Sequence, residues 1–351
     1  MAAALSARSS AILRRSLLYV PASSPRMLQK SLGLTSDNIT YDLEDSVTPA
    51  AKPTARQALR EHLTNLSSSS SPGQRPLNIG ELAIRINAVS TPYALDDLTA
   101  LAALPHLDAI VVPKVNSASD LSFVTDALRH LAPERHNTTT TTTSNSSTTS
   151  QEEEEEASRR QQQPLKIIAL IESAQAILNL PQICASSPYL SGLIFAAEDF
   201  ALDLSLTRTP SLSEFLYARS AIVTSARAHN LPSAIDLVCT SYRGPEGEAR
   251  LEEECSGGKA LGFNGKQCIH PSQVATVQRL FAPGEKEVEW AVRVVVADEK
   301  AGRAGRGAWT LDGAMIDAPV TGKARAVVDK AARCGFDVEG LRQKWKDQEP
   351  E

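Results

Sequence analysis

Eight short apolar runs recur down this 351-residue chain, at 17–20, 39–43, 82–86, 109–113, 167–171, 193–197, 234–238 and 266–269. Segments with helical periodicity separate them. Residues 120–131 carry apolar side chains at spacings of three and four, the pattern of a helix with one buried face, and 215–228 behave alike. Strands that alternate with helices pair in parallel. Eight such units predict an α/β fold, a (β/α)₈ TIM barrel. The competing open, doubly wound sheet leads one to expect a glycine-rich phosphate turn after its first strand, and Pro21-Ala-Ser-Ser-Pro25 contains no glycine.

The expected organisation is a targeting segment at 1–15, a barrel domain at 16–283 and a C-terminal extension at 284–351. The extension reads as a helix over 285–303, a Gly/Arg-rich turn at 302–307 and a closing helix near 321–334. A Ser/Pro/Gly loop at 67–74 and a low-complexity stretch at 137–163 interrupt the barrel pattern. The latter is a Thr/Ser tract, an acidic run at 152–156 and Arg159-Arg-Gln-Gln-Gln163, with Ala157 as its one apolar residue. Such a segment cannot offset its own ordering entropy, so it reads as a disordered insertion outside the fold. The first fifteen residues hold three arginines and three serines, and no acid precedes Asp37. That is the composition of a mitochondrial transit segment, with a cytoplasmic chain as the alternative.

A net charge of -5 argues against a dedicated nucleic-acid surface. No window approaches eighteen apolar residues, so no membrane span is expected. Five cysteines without close pairing form neither a Cys-x-x-Cys metal site nor a disulfide framework.

Polar residues fall repeatedly where the apolar runs stop. Asp42, Glu44 and Asp45 close the second, Arg85 and Asn87 the third, Lys114 the fourth and Glu172 the fifth. Glu198 and Asp199 close the sixth, Asp236 lies in the seventh and His270 follows the eighth. A strand interior would not take Glu198 and Asp199 side by side, because an unpaired buried charge is too costly. In a barrel these strand ends converge on one face, where active sites sit. Glu172 and the Glu198-Asp199 pair are therefore expected to supply one oxygen-rich cation site. Carboxylates in excess of histidines favour Mg²⁺ over zinc. A solvated acidic loop at 42–45, and a salt bridge from Arg85 to one of its acids, are the purely structural alternatives.

Nine blocks carry a resemblance, in order: Arg15-Ser-Leu-Leu-Tyr-Val-Pro, Asp42-Leu-Glu-Asp-Ser-Val, Arg85-Ile-Asn, Val112-Pro-Lys114, Ile171-Glu-Ser, Glu198-Asp-Phe, Ala234-Ile-Asp, Gly265-Lys-Gln-Cys-Ile-His-Pro271 and Gly313-Ala-Met-Ile-Asp-Ala-Pro319. Over 15–334, apart from the insertion, the chain resembles the citrate lyase β-subunit-like branch of the HpcH/HpaI aldolase family. The resemblance implies a Mg²⁺-dependent TIM barrel that makes or breaks C–C bonds between an acyl-CoA and a 2-oxo acid. It implies citramalyl-CoA as substrate, cleaved to acetyl-CoA and pyruvate. Malyl-CoA or malate synthase-like chemistry, citryl-CoA cleavage and a non-catalytic acyl-CoA-binding scaffold are the alternatives. Glu172 and Asp199 match the metal carboxylates, Glu44 and Asp45 acids near metal-bound waters, and Arg85 the arginine facing the substrate carboxylate and enolate. Lys114, Ala197 and Glu198 are further substrate-side candidates. Asp317 matches a catalytic aspartate that a neighbouring subunit brings over the site, which implies a homotrimer or a multiple of one. Candidate CoA contacts are Tyr19, Arg15, Lys30, Lys52, His270 and Pro271. Two departures stand out: Ala22, and Ala196-Ala197 before the Glu-Asp pair, where relatives often have glycine.

Overall fold

The computed structural model describes residues 12–66, 78–136 and 163–351. Most of the expected targeting segment, all of the 67–74 loop and all but the last residue of the 137–163 insertion lie outside the described residues. The chain divides into two units, with the boundary between Gln278 and Arg279.

In the first unit the eight apolar runs become β1 (Ser16–Pro21), β2 (Ser36–Asp42), β3 (Ile79–Arg85), β4 (Ala109–Val112), β5 (Lys166–Ile171), β6 (Leu190–Phe195), β7 (Ser233–Asp236) and β8 (Gly265–Cys268). Each pairs in parallel with the next, and β8 pairs back onto β1, closing the barrel. Leu17, Ala83, Ala109, Val111, Ile168, Leu170, Ile194 and Ile235 fill the interior, with Tyr19 and Ala196 packed against them. Full burial of each branched side chain contributes about 1.5–3 kcal/mol, so the interior is a packed core rather than a channel.

Charge closes the N-terminal end. Arg14 is buried there and uses all five of its donors. Nε and Nη2 donate to the two Glu81 oxygens at 2.7 Å each. The rest go to Ser191 O and Oγ at 3.0 Å each and to Ser233 Oγ at 2.8 Å. Gly265 lets β8 approach this layer, since a Cβ there would lie 2.0 Å from Arg14 O.

Two boundaries differ from expectation near the site. The sixth strand ends at Phe195, and Ala197 opens the helix Ala197–Leu204 instead of finishing the strand. Glu198 and Asp199 thus occupy a first helical turn, where the positive end of the helix dipole favours acids. The seventh strand ends at Asp236, whose carboxylate is buried against Arg219 at 2.6 Å. Asp236 is therefore part of the barrel wall's ion pairing, not a free acid at the rim.

The second unit takes in the last residues of helix Val274–Phe281, from Arg279, and continues with helix Glu285–Arg303. A hairpin follows, β9 (Trp309–Leu311) and β10 (Ala314–Ile316), paired antiparallel. Asp312 and Gly313 both have positive φ, 52° and 78°, as a tight Asp-Gly hairpin turn requires. Helix Ala318–Arg333 starts three residues before the expected 321. Asp317 caps it by accepting from Val320 N at 3.1 Å, and a proline fits its first turn. Val288, Val292, Val295, Trp309, Ile316 and Val328 share one core.

His136 ends the helical turn Pro133–His136 and meets the Tyr189 ring edge-on at 4.5 Å. Burial first, then the neighbouring Arg135 and Arg129, push its imidazole down to about 4. The unfolded chain therefore takes up a proton below about pH 6.5 that the folded chain refuses. Stability from this group is complete above pH 6.5 and is lost as pH falls toward 4. Urea unfolding at pH 7 and pH 5 should show that loss, and His136→Gln should flatten it; an unchanged slope in the variant would exclude His136 as its source.

Candidate active site

A cavity of about 420 Å³ opens at the C-terminal ends of the strands, lined by Tyr19, Asp42, Asp45, Arg85, Ala196, Ala197, Glu198, Asp199, Val238, Gln267 and Ile269 among others. Its floor is organised by Arg85, the last residue of β3. Nε and Nη2 donate to the two oxygens of Asp42, the last residue of β2, at 2.7 and 2.8 Å. The guanidinium lies over the Tyr19 ring, 4.8 Å from its centroid. Burial raises the Asp42 carboxyl, but the paired bonds and charge of Arg85 outweigh it and hold Asp42 below the usual carboxylate range. Asp42 also accepts from the backbone N–H of Glu44 at 2.9 Å and of Ser46 at 3.1 Å. That folds the loop so that Glu44 and Asp45 face the free edge of the guanidinium, Nη1, at 3.3 and 3.4 Å. The salt bridge expected as a structural alternative is thus present, and it fixes Arg85 in place with one edge turned to the acids.

A second cluster lies around Lys114. Its backbone is left-handed, φ 52°, a conformation that costs a non-glycine residue about 1 kcal/mol or more. The turn directs its N–H to donate to Glu172 Oε1. The Lys114 ammonium donates to Glu44 Oε1 at 3.0 Å and lies 3.9 Å from both Glu172 Oε2 and Asp199 Oδ1. Burial opposes the ammonium charge, but Glu172 and Glu44 more than compensate and raise its pKa. Burial pushes the Glu172 carboxyl up to about 7, despite the Lys114 N–H and charge. Burial raises Glu44 too, although Arg85 pulls the other way. Glu44 Oε2 is buried within ion-pair range of Arg85 but accepts no hydrogen bond.

These acids want more positive charge than the side chains supply. Among the described residues, no three His, Cys, Asp or Glu side chains are already closed around a point as metal ligands. A lysine ammonium stands between three carboxylates instead. An orphaned carboxylate oxygen, a carboxyl with a raised pKa and an all-oxygen donor set fit a hard divalent cation.

Other expected residues lie elsewhere. Glu198 is exposed and bonded to Arg208, away from the ammonium. Ala197 is buried at the cavity edge. Arg15 precedes β1, at the opposite end of the barrel, and pairs with Asp37 at 2.8 Å. Lys30 is exposed on the last turn of Pro25–Ser31, the helix that leads back toward the start of β2. Lys52 is buried and donates to Leu43 O and Glu44 O at 3.0 Å each, bracing the acidic loop from beneath. Arg15 and Lys52 are thus committed to partners within the fold. Tyr19 donates to Gln267 Oε1 at 3.0 Å, and burial keeps its phenol protonated. His270 and Pro271 are exposed after β8, with the imidazole stacked on Tyr242 at 4.8 Å. Asp317 belongs to the second unit as a half-buried helix cap.

Sequence reasoning missed two participants. Asp42 looked like one acid among several, yet it is the one that grips Arg85. Gln267 donates to Phe195 O at 2.8 Å and Asp236 O at 3.1 Å while accepting from Tyr19, joining three strand ends. Its signal was an uncharged polar residue inside the short eighth run.

Residues 15–271 match the family described as HpcH/HpaI aldolase/citrate lyase. The chain belongs to this family. It is 32% identical to the citrate lyase subunit beta of Leuconostoc mesenteroides subsp. cremoris, over 91% of this chain and 93% of that one. It is 30% identical to the mitochondrial citramalyl-CoA lyase of Homo sapiens, over 91% of this chain and 86% of that one. The crystal structure of the Mycobacterium tuberculosis protein CitE in complex with magnesium, acetoacetate and coenzyme A superposes with a TM-score of 0.64 at 27% identity, covering 91% of this chain and 98% of that one. This HpcH/HpaI member is, like the two named relatives, a lyase.

Proposed function

We propose that this lyase acts on CoA esters and cleaves citramalyl-CoA to acetyl-CoA and pyruvate with the help of Mg²⁺. The carrying observation is the juxtaposition, over one cavity, of an arginine fixed by Asp42 and a carboxylate group short of positive charge. The names of the relatives support the substrate class: a citramalyl-CoA lyase, citrate lyase subunits and a neighbour solved with magnesium and coenzyme A.

Glu172 and Asp199 would hold the ion, with Glu44 and Asp45 accepting from its water shell. When bound, Mg²⁺ supplies Lewis-acid polarisation and orients the substrate's carboxylate and tertiary hydroxyl. Cleavage needs loss of the hydroxyl proton, rupture of the C–C bond and delivery of a proton to the thioester enolate carbon. The bond's electron pair passes to the acetyl-CoA enolate as the hydroxyl carbon becomes the ketone of pyruvate. Arg85, already anchored through two of its nitrogens, turns Nη1 to the enolate oxygen without reorganising, the condition under which such donors are most effective. Asp317, supplied by a neighbouring copy in a homotrimer or a multiple of one, delivers the proton. Mitochondrial import through 1–15 is part of the same proposal; fused to a fluorescent protein, that segment should direct it to mitochondria.

One assay tests the reaction. Citramalyl-CoA, citryl-CoA and malyl-CoA are offered with Mg²⁺ and with EDTA. Citramalyl-CoA should be cleaved at the highest kcat/KM, and EDTA should lower turnover by at least about 100-fold, reversibly on Mg²⁺ addition. Preference for citryl-CoA or malyl-CoA would replace the substrate, and undiminished turnover in EDTA would remove the metal.

A further inference from the structure

A line of four charged side chains leads from the cavity rim into the barrel wall. Glu198, half exposed at the rim, accepts from Arg208 Nη1. Arg208 Nη2 donates to Val238 O at 3.0 Å and to Glu254 Oε1 at 2.9 Å. Glu254 is buried on helix Gly244–Leu261, with the fully buried Lys266 ammonium of β8 3.0 Å from its other oxygen. The signs alternate along the line. Taking several charges out of water is a weak source of stability, because desolvation consumes most of the Coulombic gain. What the line joins is more informative.

Glu198 and Val238 both line the cavity, one just after β6 and the other just after β7. Arg208 grips a side chain of the first and a backbone carbonyl of the second. Its own segment is braced to present it: Thr209 donates through N and Oγ1 to the Glu214 carboxylate at 2.6 and 2.7 Å. Without Arg208, Glu198 would be an uncompensated anion at the mouth of a cavity that already holds Asp45 and Asp199.

We propose that Arg208 is a positioning residue that pins the helix start after β6 and the loop after β7 into one cavity wall and neutralises Glu198 at its rim. A carboxylate-bearing CoA thioester then meets a wall of fixed shape and reduced negative charge. The kinetic part of this inference rests on the lyase reading above, and the pinning does not.

The test compares wild type, R208Q, R208Q/E254Q and R208Q/E198Q. R208Q/E254Q is included because R208Q alone strips Glu254 of one of its two cationic partners. Hydrogen exchange should accelerate at 196–204 and 237–243 in R208Q and R208Q/E254Q, with 93–101 unchanged. Unaltered exchange in both wall segments overturns the pinning whatever the substrate. For the thioester that wild type cleaves, R208Q should raise KM about tenfold, the scale of one charge-assisted hydrogen bond, with kcat within about twofold. E198Q added to R208Q should recover most of that KM by removing the anion, a rescue that mere loosening of the fold would not give. An unchanged KM, or no rescue, overturns the electrostatic role. A wild type that cleaves none of the three thioesters sinks the lyase reading, and the exchange result still decides the pinning.

Discussion

Asp317→Asn is expected to lower citramalyl-CoA turnover by about a thousandfold, the scale of losing a general acid–base group, with Mg²⁺ affinity nearly unchanged. The substitution is clean for a structural reason. Asp317 caps helix Ala318–Arg333 by accepting from Val320 N, and Asn caps a helix about as well as Asp. Fold stability should therefore stay constant while the proton carrier is lost. The proposed supply of Asp317 by a neighbouring copy gives a second readout. When Asp317→Asn and Glu172→Gln chains are co-expressed in equal amounts, each singly inactive, random assembly leaves about one quarter of the sites with both groups intact. Turnover near that fraction of wild type supports supply across the interface. Mixed assemblies that stay as inactive as the parents would show that Asp317 serves its own chain's site, and an active Asp317→Asn would remove it from the chemistry altogether.

Glu172→Gln and Asp199→Asn should each weaken Mg²⁺ binding by about 100-fold, read by calorimetry, and abolish turnover with it. The two differ in their effect on the fold. Gln at 172 still accepts from Lys114 N, the bond that holds the left-handed turn. It also removes a carboxyl whose ionisation is disfavoured by burial. The metal-free Glu172→Gln protein should thus be at least as stable as wild type. Asp199 is far more exposed and should be nearly silent in stability. Tight Mg²⁺ binding retained by both variants would reject the proposed ligands.

The barrel was legible because it is written in a repeated local signal. Most strands contain a run of inward and outward apolar residues, and eight strand-length segments separated by helical periodicity leave few other closed solutions. Strand ends were less legible. Ala196 and Ala197 fit a strand or a helix equally, and only the need to leave the barrel after Phe195 decides between them. The polar cluster at the strand ends was visible as a coincidence of residue types, but its pairings were not. Arg85 faced three acids of the 42–45 loop in the sequence, and the register of β2 beside β3, with Asp42 opposite Arg85, selects the one that takes its paired bonds. The burial of Lys52 was not legible because lysine is nearly always solvated, whereas here two backbone carbonyls of a tight loop replace water. Arg208 left no trace, since its significance lies in Glu254 and Val238, thirty or more residues further on.

The position of the Lys114 ammonium bears on how the acidic rim keeps its shape. Three carboxylates held near one another would repel and spread apart if nothing stood between them. A tethered cation keeps them gathered. The acidic rim is thus held in shape by the chain's own charges, with the partly exposed Lys114 side chain as its most adaptable member.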